Sequence, residues 1–341
     1  MHASVIVRPI ENQDLDALFE MAKASGTGFT TLPANRDYLA KRIQLSLDSF
    51  KREDADCRGE YYLFVLEDLA SCQVIGTCAV AGHVGSDEVF YSYRVGKLTK
   101  QCSQLGIRNE HQTLTITTDF QGATEVCTLF LMPEFRQNKN GQLLARSRYL
   151  FLAEQQARFA DPVIAELRGV SDDNGHSPFW DAIGRKFYGV EFPQADYLTG
   201  MSEKQFISDL MPEYPIYYTM LPQSARDAIA EVHEQTKPAK KLIEREGFRY
   251  SNYVDLFDGG PTMRCQFENI RSVKNSRVAE VSTIMPEVSS ELYIIGTRQL
   301  DYRCVLGRLC MNEDGSVSIT DETAQALNLA EGASIRFIET D

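Results

Sequence analysis

The chain has 341 residues, of which 43% are hydrophobic and 24% are charged. This length corresponds to two or three domains of ordinary size, and the composition is too apolar for a disordered chain. The 35 basic and 48 acidic side chains leave a net charge of −13, which repels phosphate backbones and anionic lipid. We therefore expect no binding to nucleic acid or to a membrane surface, while one local basic site for a phosphorylated cofactor stays compatible with this charge.

The sequence also bears on the compartment. No segment approaches the roughly 18 consecutive apolar residues that span a bilayer. The N-terminus lacks the basic start and the apolar run of a signal peptide. Eight cysteines are scattered without a C-x-x-C pair, which is the usage of a reducing compartment. We therefore expect a cytoplasmic protein.

The first part of the chain predicts a strand, two helices and a hairpin. Segment 4–9 is a short β-type run that ends at a proline. Apolar residues then recur every three or four positions in segments 15–22 and 39–50, as in amphipathic helices. Segments 61–67 and 73–81 are predicted strands joined by a polar turn.

A strand, a loop and a helix form the strongest local pattern. The apolar strand 124–131 ends at a Met-Pro pair, and segment 136–141 opens a long predicted helix. Another buried strand covers 162–167 and leads through a Gly- and Asp-rich loop into a helix that begins near Ser177. Such alternation of strands and helices predicts an α/β fold.

The remainder predicts a second, weakly related α/β half and a β-rich tail. Segment 236–248 has the caps of a helix, and strand-like segments follow it. From about residue 276 the sequence changes to short strands. We therefore predict three regions, which are residues 1–200, 201–275 and 276–341.

The loop from Arg136 to Gly141 is a candidate anion site. A helix that begins after a strand presents unpaired backbone N–H groups and the positive end of its dipole. Arg136 adds a side chain suited to bidentate contact with phosphate. From the pattern alone, an ordinary loop with one basic residue is equally compatible.

Together with the surrounding strands, this loop resembles the acyl-CoA N-acyltransferases of the GNAT superfamily. In that superfamily the loop reads Arg/Gln-x-x-Gly-x-Gly/Ala and holds the pyrophosphate of coenzyme A. Arg136 and Gly141 match this pattern, and Lys139 replaces the first glycine. Asn138 and Asn140 flank the lysine and tolerate a positive φ better than most residues. The resemblance implies a GNAT-like α/β (α+β) core in which Arg136, Asn138 and Gly141 bind the cofactor end of the acyl donor.

A closer resemblance is to the arginine N-succinyltransferase family. The segments that carry it, in the family's order, are 30–35, 93–96, 125–131, 168–170, 176–180, 232–236 and 257–262. After residue 276 the match is looser. The resemblance implies that Leu129 contacts succinyl-CoA and that His233 is the catalytic proton donor.

The residues themselves leave alternatives to these roles. Taken alone, Leu129 in an apolar strand favours a core leucine, and His233 in a loop between helices favours a surface or capping residue. The motifs around His233 favour the catalytic role instead. The reaction does require a group that titrates near neutrality, because the amine loses a proton and the departing thiolate gains one. His176 is a second candidate, although its position favours a turn. Covalent transfer through Cys127 is disfavoured because buried strand cysteines are mostly inert.

A cationic acceptor needs carboxylates for its guanidinium. Glu125, Asp172 and Asp255 lie in or beside the segments expected to flank its pocket, and either Arg94 or Arg168 is a candidate partner for its α-carboxylate. Most acidic residues of such an acidic chain are nevertheless solvated surface groups.

The sequence thus predicts an enzyme that succinylates the α-amino group of L-arginine in a ternary complex. Succinyl-CoA is a co-substrate, and no metal or prosthetic group is expected, because the five histidines show no metal-ligand spacing. Two alternatives remain, an acyltransferase for ornithine or another basic amino acid and a non-catalytic ligand-binding subunit of the same fold. A homodimer is the expected assembly, with a hetero-oligomer containing a related subunit as the alternative.

Overall fold

The structure, a computed structural model, describes residues 4–26, 28–54, 59–86, 88–172, 174–201, 205–289 and 291–340. Its strands are β1 Val5–Pro9, β2 Tyr61–Asp68, β3 Gln73–Ala81, β4 Ser92–Cys102, β5 Ile107–Thr117, β6 Thr124–Leu131, β7 Val163–Glu166, β8 Ile216–Tyr217, β9 Arg249–Val254, β10 Pro261–Cys265, β11 Arg277–Met285, β12 Leu292–Thr297, β13 Cys304–Met311, β14 Val317–Thr320 and β15 Ser334–Glu339. Its helices are α1 Leu15–Ser25, α2 Arg36–Lys51, α3 Asn140–Glu154, α4 Pro178–Ala182, α5 Gly184–Tyr188, α6 Phe192–Gly200, α7 Gln205–Leu210, α8 Gln223–Ala228, α9 Lys237–Arg245, α10 Arg271–Asn275 and α11 Asp321–Leu327.

The strands join in one mixed sheet. Along it the order is β12, β15, β11, β14, β13, β1, β2, β3, β6, β7, β10, β9, β4, β5 and β8. The pairs β6/β7 and β11/β14 run parallel, and the other neighbours run antiparallel. The predicted mixed α/β class is confirmed. None of the helices in the described ranges combines the length and the apolar character needed to cross a membrane.

Both faces of the central sheet are covered by helices. Successive side chains of a strand point to opposite faces, and β2 is buried on both. Leu63 and Val65 pack in the cluster that includes α1 and α2, whereas Phe64 and Leu66 pack in the cluster that includes α3. The sequence interpretation predicted these helices, but it did not predict the long β4–β5 hairpin, whose outer half is exposed on both faces.

The strands after residue 276 close into a small barrel. β12 pairs with both β13 and β15, so the order β12, β15, β11, β14, β13 returns to β12. β13 also pairs with β1, where Val305 lies opposite Ile6. The barrel therefore shares an edge with the central sheet. The predicted region boundaries near residues 200 and 275 stay predictions.

Side chains of helix α3 add to the β1–β13 pairing that joins the barrel to the rest of the chain. At its C-terminal end Glu154 accepts hydrogen bonds from the Nε atoms of Arg298 at 3.0 Å and of Arg336 at 2.6 Å. In its middle, buried Arg146 lies 3.0 Å from Glu246 and donates to the carbonyl oxygen of Glu339. Side chains of α3 thus bind the barrel and the segment that follows α9.

The pair of Arg146 and Glu246 is fully buried, and Glu246 also accepts hydrogen bonds from the backbone and hydroxyl of Ser272. We expect Glu246→Ala to lower the free energy of unfolding by about 3–5 kcal/mol, because it leaves the Arg146 cation buried without its counter-ion. Urea denaturation followed by circular dichroism measures this loss. The control is Glu244→Ala on the same turn of chain, where the side chain is only half-buried. An equal loss in both variants would contradict the role assigned to the ion pair.

Candidate active site

A cavity of about 980 Å³ opens where β6 and β7 separate. The two parallel strands pair at two positions, with Thr124 opposite Val163 and Glu125 opposite Ile164. Beyond these positions, the cavity is lined by residues 126–131 of β6 and by residues 165–168, which form the end of β7 and the start of the loop after it. The gap between diverging strands therefore presents strand backbone to a ligand rather than to a neighbouring strand.

The middle of β6 carries a bulge that faces this cavity. Thr128 has a φ of 53°, and the register between β3 and β6 shifts by one residue at this level. The Thr128 hydroxyl forms a 2.8 Å hydrogen bond with the hydroxyl of Tyr61. Leu129 follows the bulge, is half-buried, lines the cavity and packs against the core on the α3 side. Its position fits both the donor contact and the core role considered from sequence.

The loop before α3 has the backbone of an anion site. All residues from Arg136 to Gly141 line the cavity, and Gly141 lies in the first turn of α3, where backbone N–H groups are unpaired within the helix. Asn138 and Lys139 have φ values of 53° and 63°. Lys139 thus adopts the left-handed conformation that the family's glycine would adopt freely, which costs a non-glycine residue about 1–2 kcal/mol.

Side-chain contacts hold this loop in place. The Arg136 Nε donates to the carbonyl oxygen of Leu131 at 3.0 Å, and the Lys139 Nζ donates to the Thr340 hydroxyl at 3.0 Å. The first bond ties exposed Arg136 to the end of β6 beside the cavity. The loop combines a cation with helix N–H groups, which suits a phosphate or pyrophosphate.

His233 lies in a connection between α8 and α9. Its backbone N–H donates to the carbonyl oxygen of Arg168 at 3.0 Å, and its Nδ1 accepts from the backbone N–H of Gln235 at 3.2 Å. Because Nδ1 is an acceptor, the neutral ring carries its proton on Nε2. Gln235 and Thr236 line the cavity, whereas half-buried His233 is not among the lining residues. The structure thus brings His233 to the margin of the cavity.

Three segments that carry the family resemblance meet beside His233. The Asp258 carboxylate accepts hydrogen bonds from the backbone N–H of Gly169 at 2.6 Å and of Gly260 at 2.8 Å. The backbone N–H of Ala230 donates to the carbonyl oxygen of Gly259 at 2.8 Å. A β-carbon at Gly260 would lie 2.0 Å from the Leu167 carbonyl oxygen, so the close approach requires glycine. These contacts fix the loop that carries His233.

The predicted acceptor-binding acids divide into two groups. Glu125 is buried and lines the cavity, and Asp255 lines it as well. The Asp255 carboxylate accepts from the backbone N–H groups of Phe257 and Asp258, so part of its hydrogen-bonding capacity serves the turn. Burial raises the pKa of Asp255, and burial together with the Asp255 charge raises the pKa of Asp258 well above its usual value.

The structure does not bring Asp172 or Arg94 to this cavity. Asp172 is exposed and accepts from the backbone N–H groups of Asn174 and His176, which lowers its pKa. It lies with His176 at a second, smaller cavity. Arg94 projects from β4 and pairs with Asp119 at 3.7 Å. Both residues lie close in sequence to residues that line the cavity, but neither lines it.

Cys127 lies on β6 within the cavity wall, and its thiol is poorly suited to nucleophilic attack. Burial raises its pKa to about 12, and the nearby Glu125 carboxylate adds to this effect. A thiol with that pKa holds its proton at neutral pH. In the described ranges, no group of three His, Cys, Asp or Glu residues is placed to hold a metal ion.

Sequence reasoning missed Arg42 of α2, which lines the cavity and stacks over the ring of Tyr61 at 4.1 Å. A signal was present, because Arg42 follows Tyr38 by four positions and Leu39 by three. Residues at these spacings share one helix face, and both neighbours are buried. A cation on the buried face of a helix indicates a partner that is worth seeking.

Known proteins resemble this chain over nearly its whole length. A family model described as "Arginine N-succinyltransferase beta subunit" matches residues 5–272, and one described as the C-terminal domain of that subunit matches residues 277–339. An arginine N-succinyltransferase of Escherichia coli (strain 55989 / EAEC) is 39% identical over 336 residues, covering 98% of this chain and 97% of the relative. Another, of Escherichia coli O17:K52:H18 (strain UMN026 / ExPEC), is 43% identical over 282 residues, covering 83% and 82%.

A solved structure gives the same result for the fold. Arginine/ornithine succinyltransferase subunit AI from Pseudomonas aeruginosa is 34% identical, has a TM-score of 0.91, and is matched over 99% of both chains. The resemblance inferred from the motifs is therefore confirmed. This chain belongs to the arginine N-succinyltransferase family of acyltransferases.

Proposed function

We propose that this chain transfers the succinyl group of succinyl-CoA to the α-amino group of L-arginine, the first step of succinyl-transfer arginine degradation. The products are coenzyme A and N2-succinyl-L-arginine. The observation that carries the proposal is the gap between β6 and β7, with the Arg136–Gly141 loop beside it, in a chain of this family. A strand edge for the pantetheine amides and a helix N-terminus for the pyrophosphate suit an acyl-CoA donor.

The chemistry is direct transfer between two bound substrates. The α-ammonium group first loses a proton, and its lone pair then attacks the thioester carbonyl carbon. The new C–N bond forms, the C–S bond breaks, and the nitrogen releases a second proton. His233 takes up one of the two released protons, and the imidazolium so formed protonates the departing thiolate and returns to the neutral ring. The other proton passes to solvent. No step needs a metal or a prosthetic group, and the high pKa of Cys127 supports direct rather than covalent transfer.

Assembly and compartment belong to the same proposal. The family description and the Pseudomonas aeruginosa structure both name subunits, so we propose that this chain assembles, either with itself or with a related subunit. The seven cysteines described by the structure are free, which supports a cytoplasmic protein. Size-exclusion chromatography with light scattering on the isolated chain tests whether it self-associates.

The decisive experiment mixes the purified chain with succinyl-CoA and L-arginine, follows thiol release, and identifies the product by mass spectrometry. Arginine-dependent release with a succinylated product supports the proposal. Absence of release from folded protein would favour the non-catalytic subunit, since that alternative keeps the fold without turnover.

Arg136→Ala should raise the KM for succinyl-CoA by about 10-fold or more. A charge-assisted hydrogen bond to phosphate contributes about 1.5–3 kcal/mol. The defect should shrink with succinyl-pantetheine, which carries no pyrophosphate. Arg108→Ala, an exposed arginine on the distant β4–β5 hairpin, is the control and should leave both KM values unchanged. An unaltered KM for succinyl-CoA in Arg136→Ala would show that the loop does not contact the phosphates.

His233→Ala should lower kcat by about 10²–10⁴-fold, the usual contribution of a general acid or base. The melting temperature and the affinity for coenzyme A should change little, because the side chain is half-buried and lies in a loop. The kcat–pH profile should also lose the limb that an imidazole contributes. His176→Ala, on the second cavity, is the matched control. A normal kcat in His233→Ala, or a large drop in its melting temperature, would indicate a structural histidine.

L-Arginine should have a higher kcat/KM than L-ornithine or L-lysine, because a planar guanidinium forms a forked pair with a carboxylate and an ammonium does not. The cavity acids Glu125 and Asp255 motivate this expectation. Nα-acetyl-L-arginine, whose α-nitrogen is blocked, is the control and should be inert. Similar kcat/KM values for arginine and ornithine would instead indicate that the chain accepts both amino acids, as the name of the Pseudomonas aeruginosa protein states for that protein.

A further inference from the structure

The guanidinium of Arg42 makes no hydrogen bond or ion pair among the described residues, although it is partly withdrawn from water. Its side chain is half-buried, and its Nε is inaccessible and unbonded. The negative charge of Glu125 acts on it without forming an ion pair. The guanidinium stacks over the rings of Tyr61 at 4.1 Å and of Tyr38 at 5.5 Å. A withdrawn cation with unused N–H donors is costly unless a ligand anion completes it.

Arg42 lies close to the place where the acyl group is expected. The Tyr61 ring that supports its guanidinium ends in the hydroxyl that bonds Thr128 at 2.8 Å. Thr128 is the bulged residue of β6, directly before Leu129, and all four residues line the cavity. One aromatic side chain therefore separates the cation from the strand position at which the thioester would lie.

We propose that Arg42 binds the distal carboxylate of the succinyl group and thereby selects a dicarboxylic acyl donor. The proposal rests on the succinyltransferase function proposed above and assigns the part of the donor that Arg42 recognises. A guanidinium fork matches a carboxylate with two parallel N–H···O bonds. An acyl group of equal length without the carboxylate would leave this cation unpaired, and unpaired buried polar groups are the strongest basis of discrimination.

The α-carboxylate of arginine is the other anion that could occupy this cavity, and the geometry favours a different place for it. It shares a carbon with the α-amino group, which must reach both the thioester and His233. The His233 backbone N–H bonds the Arg168 carbonyl oxygen, and the Arg168 side chain lines the cavity. The acceptor carboxylate thus belongs near Arg168, at the end of β7, whereas Arg42 contacts Tyr61 of β2, which β3 and β6 separate from β7.

The test compares succinyl-CoA with butyryl-CoA, which has a four-carbon acyl group without the carboxylate. Arg42→Met keeps the stem that packs on Tyr61 and removes the charge. We expect it to lower kcat/KM for succinyl-CoA by roughly 10²-fold, as two charge-assisted hydrogen bonds would, with little change for butyryl-CoA. Arg42→Lys should recover only part of the preference, because an ammonium cannot form the fork. Arg36→Met on the same helix is the control, since Arg36 stacks on Phe19 but pairs with Asp16 outside the cavity.

Equal losses for both donors in Arg42→Met and Arg42→Lys would overturn the proposal. The proposal would also be overturned if Arg42→Met kept the normal preference for succinyl-CoA over butyryl-CoA but lost the preference for L-arginine over L-argininamide. Arg42 would then bind the α-carboxylate of the acceptor. Isothermal titration of the two donors without acceptor repeats the comparison without turnover. If Arg42→Met binds succinyl-CoA more weakly but binds butyryl-CoA as the wild type does, the role of Arg42 is upheld. A wild-type chain that releases no thiol would refute the proposed reaction, and it would leave this binding result standing.

Discussion

Two neighbouring parallel strands that pair at two positions and then separate are the constraint on which the rest of this structure depends. The sheet survives this gap because β6 keeps its pairing with β3, and β7 keeps its pairing with β10. Helices cover both faces, so the gap opens into a cavity lined from both sides, by Leu144 of α3 and Arg42 of α2. A molecule bound there touches both faces of one sheet, which single-faced surface grooves do not permit.

The other parts of the site are arranged around that gap by backbone hydrogen bonds more than by side chains. Asp258 holds two loop N–H groups, and the Arg168 carbonyl oxygen holds the segment that carries His233. Buried carboxylates used in this way position loops that have no regular secondary structure. Asp255 has two such roles, because it lines the cavity and its carboxylate also fixes the turn beside it.

Local sequence patterns predicted much of this molecule. The features that they did not predict depend on contacts between residues that are distant in sequence. The amphipathic repeats of α1 and α2 and the apolar run of β6 were readable because one or both faces of each are buried. The β4–β5 hairpin was not readable, since its outer part is polar on both faces. Motifs placed Leu129 and the Arg136 loop in the predicted site, and both line the cavity. The position of Asp172 away from the cavity depends on a turn that spacing does not reveal. Arg42 was overlooked because its significance lies in Tyr61, which is distant in sequence.

β1 has a consequence for how the chain is completed. One edge of this strand pairs with β2, and its other edge pairs with β13, where Val7 lies opposite Cys304. The partner of the second edge, β13, comes almost 300 residues later in the chain. That edge of β1 therefore stays open during synthesis until β13 has emerged. Contacts of such sequence separation slow folding, and open strand edges promote association with other chains. A central sheet that forms before β13 would therefore present an uncovered apolar edge at Ile6, which favours association with other chains.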